Sequence, residues 1–160
     1  MMDNVNYLIG RMMTARQEFL NSRLKPLNLT SSLFACLVEI IQNGPLTQKE
    51  LSTLLRVDPA LTTRNIRKLT ALGYVEKEEK QADRRCNTIR LSKDGETISK
   101  EIMMLNLEWF KIVSRDIPLD ELERTLNTVK KVIINVETQI LGESRIPRTP
   151  VRLPDEESLK

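Results

Sequence analysis

The chain has 160 residues, enough for one domain with a sizeable core and too few for two ordinary ones. Its 25 Lys/Arg against 22 Asp/Glu leave a net charge of only +3, so any electrostatic partner must be met by a local patch. With no histidine, five scattered glycines and two cysteines, the commonest general base, a phosphate-binding loop and a disulfide framework are all excluded, so we expect no enzyme, no cofactor and no metal site.

The first segment carries Val5, Leu8, Ile9, Met12, Met13, Phe19, Leu20, Leu24 and Leu27, mostly three and four apart, which predicts an amphipathic helix ending near Pro26. Thr30 can cap a second helix bearing Leu33, Phe34, Leu37, Val38 and Ile41, which Gly44-Pro45 must stop. Cys36 falls inside that apolar helix and is expected to be a core residue. In "LTQKELSTLL", Thr47 and Glu50 form a capping box and Leu46 and Leu51 a hydrophobic staple, so a short third helix runs from Thr47 to near Arg56. "VDPALTTRNIRKLTALG" repeats the pattern, with Asp58 as N-cap, Pro59 at the first helical position and Gly73 just past the end. After Gly73, "YVEKEE" and "NTIRLS" alternate like strands, Tyr74 or Val75 on one arm and Ile89 and Leu91 on the other, around a polar loop of about eight residues.

Ser92 can cap the next helix, whose apolar residues Ile98, Ile102, Met103, Met104, Leu105, Leu107, Trp109, Phe110 and Ile112 cover more than one face and predict burial on several sides. The last helix shows a coiled-coil seam at alternating three- and four-residue steps, through Leu119, Leu122, Leu126, Val129, Ile133, Val136 and Ile140. These seven are the candidate dimerisation residues. The tail, with three prolines and no periodicity, is expected to be extended or disordered. No basic leader with an apolar core precedes a cleavage site, and no apolar run approaches the roughly 20 residues that cross a bilayer, so the expected location is the cytoplasm, with no membrane partner.

Two short helices joined by a tight turn, followed by a two-stranded ribbon with a long tip, make a winged helix-turn-helix, in which the second helix enters a DNA major groove. The charge distribution agrees: Thr47 to Asp94 holds 11 Lys/Arg and 7 Asp/Glu, leaving 14 and 15 for the rest of the chain. In the second helix, Thr62, Ile66, Leu69 and Gly73 form an inward stripe, while Ala60, Thr63, Arg64, Arg67 and Ala71, with Lys68 alongside, lie opposite. Small residues beside long cations let a helix approach base edges while reaching guanine acceptors and phosphates. Thr47 and Gln48, opening the preceding helix, complete the candidate DNA-binding set on the helices. At the ribbon tip, Arg84 or Arg85 can enter a narrow minor groove, with Asp83 holding its guanidinium in orientation. A solvated cationic helix face is the plainer reading of Arg64, Arg67 and Lys68. The capped helix before it and the ribbon after it favour DNA.

The runs "TTRNIRKLTALGYVEK" and "ADRRCNTIRLSKDG" resemble the MarR/SlyA family of bacterial transcription regulators, which has a Thr-Arg in the recognition helix, a closing Leu and Gly-x-Val, then Asp-Arg-Arg and Leu-Thr/Ser-x-x-Gly. The resemblance covers roughly Asn28 to Gly95. It implies that Thr63 and Arg64 are the recognition pair, that Asp83, Arg84 and Arg85 belong to the wing, and that the protein is an obligate homodimer whose N-terminal and last two helices interlock. It also implies small ligands, often aromatic acids, between the dimer region and the DNA-binding lobe. Family members that sense peroxide through an N-terminal cysteine or bind zinc through histidines are poor guides here, because both features are missing from this sequence.

The expected fold is thus mainly α with a small β-hairpin wing: a single domain over 1–143, with dimerisation helices at 1–27 and 96–142, a winged helix-turn-helix over 29–95, and a tail over 144–160. The expected function is a repressor that binds a pseudo-palindromic operator in double-stranded DNA. Two alternatives stay open: a helical dimerisation module whose basic lobe meets an acidic protein, and a redox-sensing regulator using Cys86, which follows two arginines that would lower its thiol pKa.

Overall fold

The computed structural model describes residues 5–79 and 87–141. The elements run α1 (Val5–Leu24), a 3-10 turn (Lys25–Leu27), α2 (Ser31–Asn43), β1 (Leu46–Thr47), α3 (Gln48–Leu55), α4 (Pro59–Ala71), β2 (Val75–Glu79), β3 (Asn87–Leu91), α5 (Lys93–Val113) and α6 (Leu119–Leu141). By compactness the chain divides after Trp109 into two units.

Local chemistry sets the helix boundaries of the first unit. The Thr30 side chain accepts from Leu33 N–H at the start of α2. At α3 both halves of the capping box form: Thr47 Oγ1 accepts from Glu50 N–H at 3.2 Å, and Thr47 N–H donates to Glu50 Oε2 at 2.8 Å. The Asp58 carboxylate accepts from Ala60 N–H at 2.7 Å to open α4, where Pro59 occupies the first turn. Each such cap contributes about 1 kcal/mol. Arg56 closes α3 in the left-handed conformation, φ 56°, which turns the chain sharply toward α4. Gly73, φ 80°, ends α4 in a conformation that a side chain would strain. A Cβ at Gly95 would collide with the Tyr74 carbonyl oxygen, so glycine there lets the first turn of α5 lie against the start of β2.

The core of this unit gathers Leu20 and Leu24 of α1, Phe34, Leu37 and Ile40 of α2, Leu51 of α3, Ile66 and Leu69 of α4, Val75 and Ile89 of the ribbon, and Ile102 of α5. Cys36 is fully buried among them, and that burial pushes its thiol pKa up, the opposite of an activated cysteine. Phe19 and Trp109 meet with ring centroids 5.6 Å apart, and Arg23 pairs with Glu108 at 2.6 Å, so the end of α1 is fastened to α5.

Three features go beyond what the sequence expectations specified. The ribbon is a three-stranded antiparallel sheet in the order β1-β3-β2, with Leu46 opposite Ile89 and Thr47 opposite Thr88. An N-cap residue is extended, as Thr47 is at φ −72° and ψ 158°, so it and Leu46 present free backbone groups to the open edge of β3. Second, only Leu20 and Leu24 of α1 are buried, while Val5, Leu8, Ile9, Met12 and Met13 are exposed. Third, along α5 Ile102 and Leu105 are buried and Ile98, Met103, Leu107, Trp109 and Phe110 half-buried, while Met104 and Ile112 are left exposed.

The second unit holds the end of α5, a turn in which Asp116 takes φ 62°, and α6. On α6, Leu122 is buried, yet Leu119, Val129, Ile133, Val136 and Ile140 are all exposed, as are their neighbours Val132 and Ile134. The seam leaves an apolar strip open along the helix. Among the described residues, no single helix is long and apolar enough to cross a membrane.

Candidate nucleic-acid interface

The face of α4 that points away from the core is built by exclusion. Thr62, Ile66 and Leu69 are each 0% exposed, as the helical period requires of an inward stripe. The remaining arc leaves Ala60, Arg64, Arg67, Lys68 and Ala71 exposed and Thr63 half-buried. Among the described residues, no ion pair is seen for Arg64, Arg67 or Lys68, whereas pairs elsewhere include Arg23 with Glu108, Arg90 with Glu76 and Glu78, and Arg124 with Asp120. Three cations therefore stand along just over one turn of helix, flanked by the small side chains of Ala60, Thr63 and Ala71 that leave the backbone accessible. The chemistry suits a polyanion whose surface also carries acceptors to be read.

The candidates on α3 are engaged inside the lobe. Thr47 Oγ1 donates to Glu50 Oε2 at 2.7 Å as part of the capping box. The Thr63 hydroxyl lies 2.9 Å from the Pro59 carbonyl and 3.2 Å from Gln48 Oε1, so Gln48 and Thr63 join the start of α3 to the first turn of α4. This contact keeps the two helices of the helix-turn-helix in register.

On the ribbon, Arg90 lies opposite Glu76 across β3 and β2 and reaches its carboxylate at 2.5 Å, with Glu78 at 4.0 Å. The acidic side chains of the wing stem are thus drawn onto a cation, which moderates their repulsion of a phosphate backbone. The tip residues Asp83, Arg84 and Arg85, and Cys86 beside them, lie outside the described residues.

A buried polar group beneath the α4 face was missed by the sequence reading. Asn65 is 6% exposed, and its Nδ2 donates to Ser32 Oγ at 2.6 Å and approaches Cys36 Sγ at 3.6 Å. The signal was present in the spacing: 62, 65, 66 and 69 form a full i, i+3, i+4, i+7 core stripe, and 32 and 36 lie one turn apart on α2. Asparagine is polar, so hydrophobic periodicity passes over it.

Residues 29–87, from the entry to α2 through the start of β3, match the sequence profile of the MarR family. This segment of the chain is a MarR-family match. Among curated relatives, the HTH-type transcriptional regulator BilQ of Clostridioides difficile (strain CD3) is 29% identical over 140 residues, covering 86% of this chain and 95% of the relative. Among solved structures, a MarR protein from Peptoclostridium difficile DA00132 is 25% identical with a TM-score of 0.79, covering 89% of this chain and 93% of that one. A MarR mutant from E. coli, complexed with operator DNA, is 26% identical with a TM-score of 0.70 and covers 80% of this chain and 92% of that one. The MarR profile encloses α2, α3, α4 and β2, which are the elements that build and support the cationic face of α4.

Proposed function

We propose that this chain is a homodimeric, sequence-specific DNA-binding regulator that represses transcription by occupying a pseudo-palindromic operator. The observation that carries the proposal is the division of α4 into a buried stripe of Thr62, Ile66 and Leu69 and an exposed arc of Arg64, Arg67 and Lys68 with Ala60 and Thr63 between them. In this reading α4 lies in the major groove. Arg64 donates its planar fork to guanine O6 and N7, while Arg67 and Lys68 meet phosphates. Arg84 or Arg85 enters the flanking minor groove, oriented by Asp83. That a structural relative is complexed with operator DNA supports DNA as the partner.

Dimerisation through α1, α5 and α6 is supported by the apolar side chains that these helices leave in solvent, from Val5 to Met13, at Met104 and Ile112, and from Val129 to Ile140. A monomer has no use for such strips, and a two-fold assembly that covers them sets two copies of α4 at a fixed spacing, matching a palindromic site. The deciding experiment is selection of bound duplexes from a random-sequence pool, followed by titration at several salt concentrations. Enrichment of an inverted repeat, with affinity that falls steeply with salt while the preference persists, is the expected result. Binding without sequence preference, or binding to an acidic protein in place of DNA, would refute it.

A further inference from the structure

Asn65 follows Arg64 on α4, yet it turns inward to α2. There its amide reaches Ser32 Oγ at 2.6 Å and Cys36 Sγ at 3.6 Å. On the other flank of Arg64, the Thr63 hydroxyl shares its one proton between the Pro59 carbonyl at 2.9 Å and Gln48 Oε1, at the start of α3, at 3.2 Å. Each residue of an α-helix is turned by about 100° from the last, so positions 63 and 65 are about 200° apart. The two attachments therefore hold α4 from nearly opposite sides, with Arg64 between them. The apolar contacts of Ile66 and Leu69 are non-directional and yield to a small roll of the helix; hydrogen bonds of defined length and angle resist it. A roll of about 20° would carry a side-chain atom some 6 Å from the helix axis through about 2 Å. A hydrogen bond to a base edge tolerates only a fraction of that.

We propose that Asn65 is a positioning residue for DNA reading: its attachment to Ser32 and Cys36, opposed by that of Thr63 to Gln48, sets the roll of α4 and so the aim of Arg64. The proposal rests on the reading of α4 as the helix that contacts bases. A buried amide is a costly way to fill this site, since a leucine would occupy a similar space without desolvating a polar group. Fixing register and orientation is the best-attested use of such buried polar groups.

The test uses the full-length protein and two duplexes: one recovered by selection from a random-sequence pool, and a scrambled duplex of equal length. Asn65→Leu removes both attachments to α2 while keeping the side chain bulky. The expected result is a fall of at least about tenfold in the ratio of affinities for the two duplexes, with affinity for the scrambled duplex and the thermal midpoint close to wild type. Ser32→Ala deletes the acceptor on α2 and should give a smaller loss of the same kind, with no further loss when combined with Asn65→Leu. An unchanged ratio in both variants overturns the proposal. So does an equal loss on both duplexes, which would mark a contribution to folding alone. Should Asn65→Leu fail to fold, the ratio measured for Ser32→Ala decides the matter. A wild-type protein with no preference for the selected duplex refutes the base-reading role of α4 itself, and this proposal with it.

Discussion

Val136→Asp puts a charge in the middle of the open strip on α6. Val136 is 50% exposed, so a carboxylate there is largely hydrated in a single protomer and should do little to the folding of α6. In a symmetric dimer the same position is covered twice. Burying a valine side chain contributes roughly 1.5 to 2 kcal/mol, and half of it remains to be covered here, so the two copies together forfeit about 2 kcal/mol. An unpartnered carboxylate taken out of water adds a few kcal/mol more. The sum is about 5 kcal/mol or greater, a rise of about three to four decades in the dissociation constant. Analytical ultracentrifugation over a range of micromolar concentrations would read it directly: dimer for the wild type, and monomer for Val136→Asp. Lys131→Asp is the control, because Lys131 is exposed on the opposite side of α6 from the seam and should leave assembly unchanged. A Val136→Asp protein that sediments as a dimer with a dissociation constant within tenfold of wild type would refute the assignment of this strip to the interface.

Arg64→Ala should cost roughly 1 to 3 kcal/mol on the selected duplex and relax preference at one position in each half-site, whereas Lys68→Ala should weaken all sequences alike; fluorescence anisotropy with matched and scrambled duplexes separates the two. At the wing, replacing the inserted arginine, Arg84 or Arg85, with lysine should lower affinity more on A·T-rich than on G·C-rich flanks, and Asp83→Asn should show a weaker version of the same loss, although it removes a negative charge; tighter binding of Asp83→Asn on every flank would reduce the wing to a generic positive patch. Glu39, half-buried on α2, has its carboxyl pKa raised by burial, partly offset by the hydrogen bond from Asn43. A folded-state pKa above the unfolded one means that Glu39 favours folding most at acid pH, where it is protonated in both states, and that this contribution is lost as pH rises through the folded value. Glu39→Gln should therefore raise the thermal midpoint modestly at pH 7 and leave it nearly unchanged below the unfolded carboxylate range, as differential scanning calorimetry at the two pH values would show; a lowered midpoint at pH 7 contradicts the assignment.

What could be read from the sequence was whatever acts within one or two helical turns. The capping box of Thr47 and Glu50, the Asp58-Pro59 start of α4, the stop at Gly73 and the inward stripe of Thr62, Ile66 and Leu69 all depend on neighbours at fixed short spacings, and each stands where those spacings put it. A seam at three- and four-residue steps likewise announces an amphipathic helix. It does not say whether the strip is covered by its own chain, and in the protomer it is left open from Val129 to Ile140. The tertiary structure decided the pairings between distant residues. Leu46 and Thr47 join β3 more than forty residues later, and two residues are too few to show the alternation that marks a strand. Asn65 finds Ser32 and Cys36 on a separate helix, and Tyr74 Oη donates to the Leu27 carbonyl at 3.3 Å. Such contacts leave no periodic trace, because a polar side chain is buried only where the rest of the fold brings it a partner, and that partner is chosen by packing rather than by spacing along the chain.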